Sequence, residues 1–186
     1  MAAYLVLTVL GEDRPGLVEA VSQAIAAHGG NWLESRMSRL AGKFAGILRA
    51  SVPDTQIEAL TAALSDLEPQ GLRMLIEWSD SDEPAQAYQV FRLNLMGNDR
   101  VGIIRDISQA LAAFSVNIDE LNTDYVSAPM SGESLFKATA LIRVPHDVAF
   151  VDLQANLDHL AHELMVEIDL EGTATPNGPR HVDHQR

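Results

Sequence analysis

"GEDRPGLV" (Gly11–Val18) and "GNDRVGII" (Gly97–Ile104) are two copies of one octapeptide, 86 residues apart in a chain of 186. Each follows an apolar run and leads into a segment with helical periodicity. The likeness continues outward: "SQAIAAHGGNW" from Ser22 aligns with "SQALAAFSVNI" from Ser108 at the same offset. After six additional residues in the second copy, "FAGILRASVP" (Phe44–Pro53) aligns with "FKATALIRVP" (Phe136–Pro145), and "LRMLIEW" from Leu72 with "LMVEIDL" from Leu164. Two copies of a unit of about 80 residues therefore fill the chain.

Both copies read in one order. Leu5–Leu10 and Val90–Met96 have strand length, and in the second Phe91, Leu93 and Leu95 alternate with Arg92 and Asn94. Helices follow from about Pro15 and Val101, with Leu17, Val21 and Ile25, then Ile103, Ile107 and Leu111, each on one face. Pro15 suits a first helical position, where its missing N–H costs nothing, and Gly29-Gly30 suits a helix end. Asn31 and Asn117 open strand pairs that turn near Ala41-Gly42 and through the loop 127–134. Second helices carry Leu60, Leu64, Leu67 and Leu153, Leu157, Leu160, and a last strand closes each copy. The order βαββαβ, twice, predicts an α+β chain of two ferredoxin-like units, antiparallel sheets with helices on one face. The expected boundaries are 1–80 for the first domain, 81–87 for a polar linker, 88–172 for the second domain and 173–186 for a disordered tail.

Composition narrows the function. Thirteen Lys and Arg face 26 Asp and Glu, a net charge of −13, whereas binding to phosphate backbones or anionic lipid relies on clustered cations. Direct nucleic-acid and membrane-surface roles are not expected. Without cysteine there is no disulfide, thiol nucleophile or thiolate metal site. Nothing reads as a signal peptide or membrane span, so the expected location is the cytoplasm.

The octapeptide lies where a strand delivers the chain to a helix N-terminus, and unpaired N–H groups and the positive dipole end favour a carboxylate there. Gly11 and Gly97 allow a tight turn. Gly16 and Gly102 fall in the first helical turn, where a missing Cβ lets a ligand or backbone come close. Asp13 and Asp99 can accept hydrogen bonds from an ammonium group, so the set suits a zwitterion such as a free amino acid. The same residues also suit a plain cap and turn, and both uses stay open on the residues alone. Arg14 and Arg100 fit solvated ion pairs better than ligand contacts.

A βαββαβ unit with "DRPG" after its first strand and Asn opening its second resembles the ACT domain, a small regulatory module that senses amino acids. The resemblance covers residues 3–80 and 88–172. It implies a ligand held at an interface between two domains, contacted by the loop after the first strand and by the asparagine. Here those positions are Gly11, Glu12, Asp13 and Gly16 with Asn31, and Gly97, Asn98, Asp99 and Gly102 with Asn117. The second copy has Val101 where the family often has Pro, which predicts a less fixed helix start. A tandem pair with nothing attached, and with "SAPMSGESLF" inserted in the second copy, is similar to accessory transcriptional repressors of this family. That similarity implies a response to glycine and contact with a DNA-binding transcriptional activator rather than with DNA. A regulatory subunit acting on a metabolic enzyme in trans, or an oligomerisation module without ligand, are the alternatives.

No catalytic set, cofactor fingerprint or metal motif is present. "HLAHE" (His159, His162, Glu163) has the wrong order for a zinc helix and reads as a solvated helix end. His181 and His184 fall in the tail. Trp32 and Trp78 occupy apolar strand positions expected in a core or interface. Both alternating sets of the first strand, Leu5/Leu7/Val9 and Val6/Thr8/Leu10, are largely apolar, which predicts a second sheet face buried against another chain or against the second domain, and of these a homodimer is expected.

Overall fold

Alternation decides which way the first strand faces. In β1 (Ala2–Glu12) Leu5, Leu7 and Val9 are buried, while Thr8 and Leu10 are exposed on the opposite face. The computed structural model describes residues 2–79, 88–127 and 134–173, and the chain divides into two units, Met1–Pro84 and Ala85–Arg186. The expected linker at 81–87, residues 128–133 of the expected loop and residues 174–186 of the expected tail, with His181 and His184, lie outside the described residues.

The first unit continues with α1 (Leu17–Ala27), β2 (Asn31–Leu40), β3 (Lys43–Pro53), α2 (Ile57–Ser65) and β4 (Leu72–Trp78). Its sheet has the order β2-β3-β1-β4, all antiparallel. Leu17, Val21 and Ile25 of α1 and Leu60 and Leu64 of α2 close over Leu5, Leu7, Val9, Leu48 and Ala50. Each fully buried Leu or Ile stabilises by about 1.5–3 kcal/mol. The second unit repeats this with β5 (Tyr88–Asn98), α3 (Ile103–Ala113), β6 (Asn117–Ser127), β7 (Ser134–Pro145), α4 (Phe150–Leu164) and β8 (Val166–Gly172). Its sheet order is β6-β7-β5-β8, and Ile103, Ile107, Leu111, Leu153 and Leu157 cover Leu93, Leu95 and Ile142. The α+β architecture of two βαββαβ units is the one the periodicity predicts. A bulge interrupts β2 between Trp32 and Glu34 and β6 between Ile118 and Glu120, so the duplication extends to irregularities.

Two local expectations are corrected. Gly11 and Gly97 are not turn residues: they lie within β1 and β5, opposite Phe44 and Leu72 and opposite Phe136 and Val166. A Cβ on Gly11 would stand 2.9 Å from the Gly71 carbonyl oxygen, and one on Gly97 would stand 2.5 Å from Val166 Cγ1. Close approach by the last strand requires them. That last strand also aligns differently. Gly11 faces Leu72 and Gly97 faces Val166, so the copies match Leu72 to Val166, two residues from the match read in the sequence. A slip of two preserves the inward face, which is why the apolar pattern alone did not expose it. Of the two tryptophans, Trp32 packs against the first core and Trp78 is 69% exposed at the end of an edge strand.

The outer sheet faces have diverged. In the first unit one row across the sheet is Leu75, Thr8 and Ile47, with Leu75 and Ile47 exposed. The matching row of the second is Asp169, Asn94 and Thr139.

Candidate ligand-binding loops

The chain leaves each first strand and enters each first helix through a left-handed glycine. Gly16 has φ 92° and ψ −3°, and Gly102 has φ 96° and ψ 3°. Only glycine adopts this region without steric cost. Pro15 and Gly16 therefore precede the helix instead of forming its first turn, and α1 starts at Leu17. A Cβ on Gly16 would meet nothing within 4 Å, so backbone conformation, and not room for a neighbour, dictates this glycine. The two helix starts share one geometry although the second has Val101 in place of Pro15.

Neither helix carries a side-chain cap. The first helical bonds run from Ala20 N–H to Gly16 O at 2.9 Å and from Asp106 N–H to Gly102 O at 3.0 Å. The amides of Leu17–Glu19 and of Ile103–Arg105 thus precede the ladder and carry the positive end of each helix dipole. Asp13 and Asp99 are not caps.

Their side chains differ between the copies. In the first loop Glu12 pairs with Lys43, Asp13 Oδ2 lies 3.2 Å from Arg39 Nη1, and Arg14 donates to the Gln70 carbonyl. The Asp13 amide donates to Gly42 O at 2.9 Å, which seats the loop on the β2–β3 turn. In the second loop the Asp99 amide makes the matching bond to Ser134 O at 3.0 Å. Among the described residues the Asp99 carboxylate has no hydrogen-bond or ion-pair partner, and Asn98 is exposed. Arg100 instead turns to Asp106 at 3.2 Å, which also holds Arg105 at 2.7 Å. The hydrogen bond from Arg105 lowers the Asp106 carboxyl below its ordinary pKa; the charge of Arg105 and the bond and charge of Arg100 add to this against partial desolvation.

Asn31 and Asn117 stand at the other end of each sheet. Asn31 pairs with Ser51 and Asn117 with Arg143, whereas Gly11 and Gly97 pair with Phe44 and Phe136. Seven residues along a strand are about 23 Å. A small ligand cannot touch both the loop and the asparagine of one unit. The Asn117 amide donates to Asp119 Oδ1 at 3.4 Å, and Arg143 Nε donates to the same oxygen at 2.6 Å. The bulge residue matching Asp119 in the first unit is Leu33, which accepts nothing.

Sequence reasoning missed Arg39 and Lys43. The signal was available, because antiparallel pairing of β1 with β3 brings the hairpin turn beside the loop and sets two cations against "GED". Elsewhere, His159 and Glu163 form an exposed i,i+4 pair at 3.4 Å on α4. Among the described residues no group of three His, Asp or Glu could hold a metal ion, and no helix is long and apolar enough to cross a membrane. A depression of about 320 Å³ on the outer face of the second sheet is lined by Asn94, Met96, Lys137, Thr139, Glu167 and Asp169.

Residues 3–79 match the family model described as the ACT domain. Two curated relatives, each called glycine cleavage system transcriptional repressor, come from Escherichia coli (strain K12) and Shigella flexneri. Each is 27% identical over 173 residues, covering 91% of this chain and 88% of the relative. A crystal structure of an unknown protein from Galdieria sulphuraria superposes with a TM-score of 0.84 at 28% identity, covering 94% of this chain and all of that one. That of a candidate glycine cleavage system transcriptional repressor gives 0.70 at 22% identity, over 94% and 99% of the two chains, and shows the shared fold.

Proposed function

We propose that this chain, an ACT domain followed by a second unit of the same architecture and similar to glycine cleavage system transcriptional repressors, is a non-enzymatic regulator that senses a free amino acid. The observation that carries the reading is the loop geometry. An uncapped helix start presents amides and a positive dipole end to a carboxylate, and an acidic side chain one turn earlier suits an ammonium. Glycine, with both groups and no side chain, is the ligand favoured by the name of the curated relatives. That name also favours transcription of the glycine cleavage system as the output and the cytoplasm as the location. With a net charge of −13, contact with a DNA-binding activator suits the chain better than contact with DNA. Linkage then requires glycine to change affinity for that partner, and the partner to change affinity for glycine by the same factor.

The exposed row Leu75, Thr8 and Ile47 favours self-association of the first unit, and a homodimer is part of this reading. The deciding experiment is a thermal-shift screen against the twenty amino acids. Ligand at 100 times its Kd stabilises by about 2.7 kcal/mol, roughly 5–10 °C for a chain of this size. A selective, saturable shift with glycine is the expected result. No shift with any amino acid would leave the structural-module alternative.

A further inference from the structure

We infer that two copies of the chain pack the outer faces of their first sheets together, about a two-fold axis that crosses the strands over the row Leu75, Thr8 and Ile47. Arg73 of each copy then meets Glu77 of the other. The inference rests on the homodimer in the reading above and gives it a geometry. The outward residues of β4 are Arg73, Leu75 and Glu77, paired across the sheet with Leu10, Thr8 and Val6 of β1. The centre of this face is apolar, with Leu10, Ile47 and Leu75 exposed. Its two charges on β4 are idle: neither Arg73 nor Glu77 makes a hydrogen bond or ion pair among the described residues. They stand four residues apart, about 13 Å along the strand, too far to pair within one chain. An apolar centre with a charged rim is the anatomy of a protein interface.

Charge selects both the face and the axis. At the positions matching Arg73, Leu75 and Glu77, β8 carries Glu167, Asp169 and Glu171, opposite Met96, Asn94 and Arg92. Three carboxylates in line repel a second copy of themselves. Arg-Leu-Glu reversed against itself sets each charge opposite its counter-charge and leucine opposite leucine. A two-fold axis across the strands does this, because it lays β4 of one copy antiparallel over β4 of the other. Facing sheets stand about 10 Å apart, a gap that an extended arginine and a glutamate span between them. The other symmetric stacking has its axis along the strands and lays β2 over β4. Glu34 shares a row with Glu77, and Ser38 with Arg73, so that stacking sets carboxylate over carboxylate and leaves the arginine without a counter-charge. With the axis across the strands, Arg36, in the Ile47 row on β2, comes near its own counterpart only at the far rim, where water keeps the repulsion small.

The test is sedimentation equilibrium of the full chain, in wild type and four variants. Wild type should show a reversible equilibrium between monomer and dimer. Arg73→Glu and Glu77→Arg should each weaken the dimer about tenfold or more, since each turns two symmetry-related ion pairs into repulsions. The double variant Arg73→Glu/Glu77→Arg should return to within about threefold of wild type. An equimolar mixture of the two single variants should form a heterodimer more tightly than either associates with itself. Glu167→Arg, the matching change on the second sheet, should leave the dimer constant within about twofold. All three side chains are exposed, and unchanged circular dichroism will establish that the variants fold. Losses that neither the double variant nor the mixture restores, or charge changes that leave the dimer constant untouched, overturn the stacking and leave the homodimer standing. So does a tenfold change in Glu167→Arg, which would put the second sheet in the contact. A single-chain mass for wild type at every concentration removes the homodimer itself, and the stacking falls with it.

Discussion

Arg39 and Tyr125 occupy one position in two copies of a sheet, each opposite a phenylalanine, yet the first holds the Asp13 carboxylate and the second bonds the Ser134 hydroxyl. So exposed a contact adds little to the stability of the fold. Arg39 is 71% exposed and Asp13 32%, and pairs in that setting contribute about 0–1 kcal/mol. Arg39→Ala should change unfolding free energy in urea by no more than about 0.5 kcal/mol. A loss above about 2 kcal/mol would make the pair structural.

Three of the four glycines of the octapeptides should separate by mechanism. Gly97→Ala drives a Cβ into Val166 and Gly11→Ala into the Gly71 carbonyl, and overpacking of this kind costs about 1–3 kcal/mol. Gly16→Ala meets no atom but must hold φ 92°, at about 1–2 kcal/mol. A Gly16→Asn variant should recover part of that loss, because Asn tolerates the left-handed region, whereas Gly11→Asn should be worse than Gly11→Ala. Equal recovery at both positions would contradict the assignment.

This contrast marks what the chain discloses before it folds. Leu17, Val21 and Ile25 announce their helix because periodicity is a property of neighbours in sequence. Gly11 and Gly16 look alike on the page, and only pairing with β4 and the entry angle of α1 distinguish them. The position of Asn31 was legible as a strand start, but its separation from the loop depends on register along β3. Arg39 escaped notice because its partner is 26 residues away and reaches it through the β1–β3–β2 pairing.

Two positions invite stabilisation. Ala41 has φ 49° in the two-residue turn between β2 and β3, and Ser115 has φ 56° just beyond α3. Ala41→Asn supplies the Asn-Gly pair such turns prefer, and Ser115→Gly matches Gly29 of the first unit. Each should raise stability by about 0.5–1 kcal/mol, read from the urea midpoint. An unchanged or lower midpoint would contradict the assigned backbone.

Asp106 sets a pH dependence. Its pKa is lowered in the folded state, first by the Arg105 hydrogen bond, so its stabilising contribution is present above the ordinary carboxylate range. That contribution is lost as pH falls through the folded-state value. Carboxyl NMR should place Asp106 below an unperturbed aspartate, and Arg105→Gln should move its midpoint upward. A midpoint insensitive to Arg105 would refute this electrostatic description.

The homodimer can be tested on the exposed row of the first sheet. Ile47→Lys and Leu75→Lys should each lower the light-scattering molar mass towards that of one 20.2 kDa chain while leaving the melting temperature of the monomer intact. A single-chain mass in wild type, or a dimer mass in both variants, would place self-association elsewhere or remove it.

The central position of β1 also gives the fold a direction in time. Its neighbours are β3 and β4, and β4 is the last strand of its unit. A nascent chain ending before Leu72 already holds both helices but leaves one side of β1 unpaired, the kind of edge that recruits foreign strands. Each unit is therefore sealed only by its final seven residues. Synthesis exposes that adhesive edge twice, once for each unit.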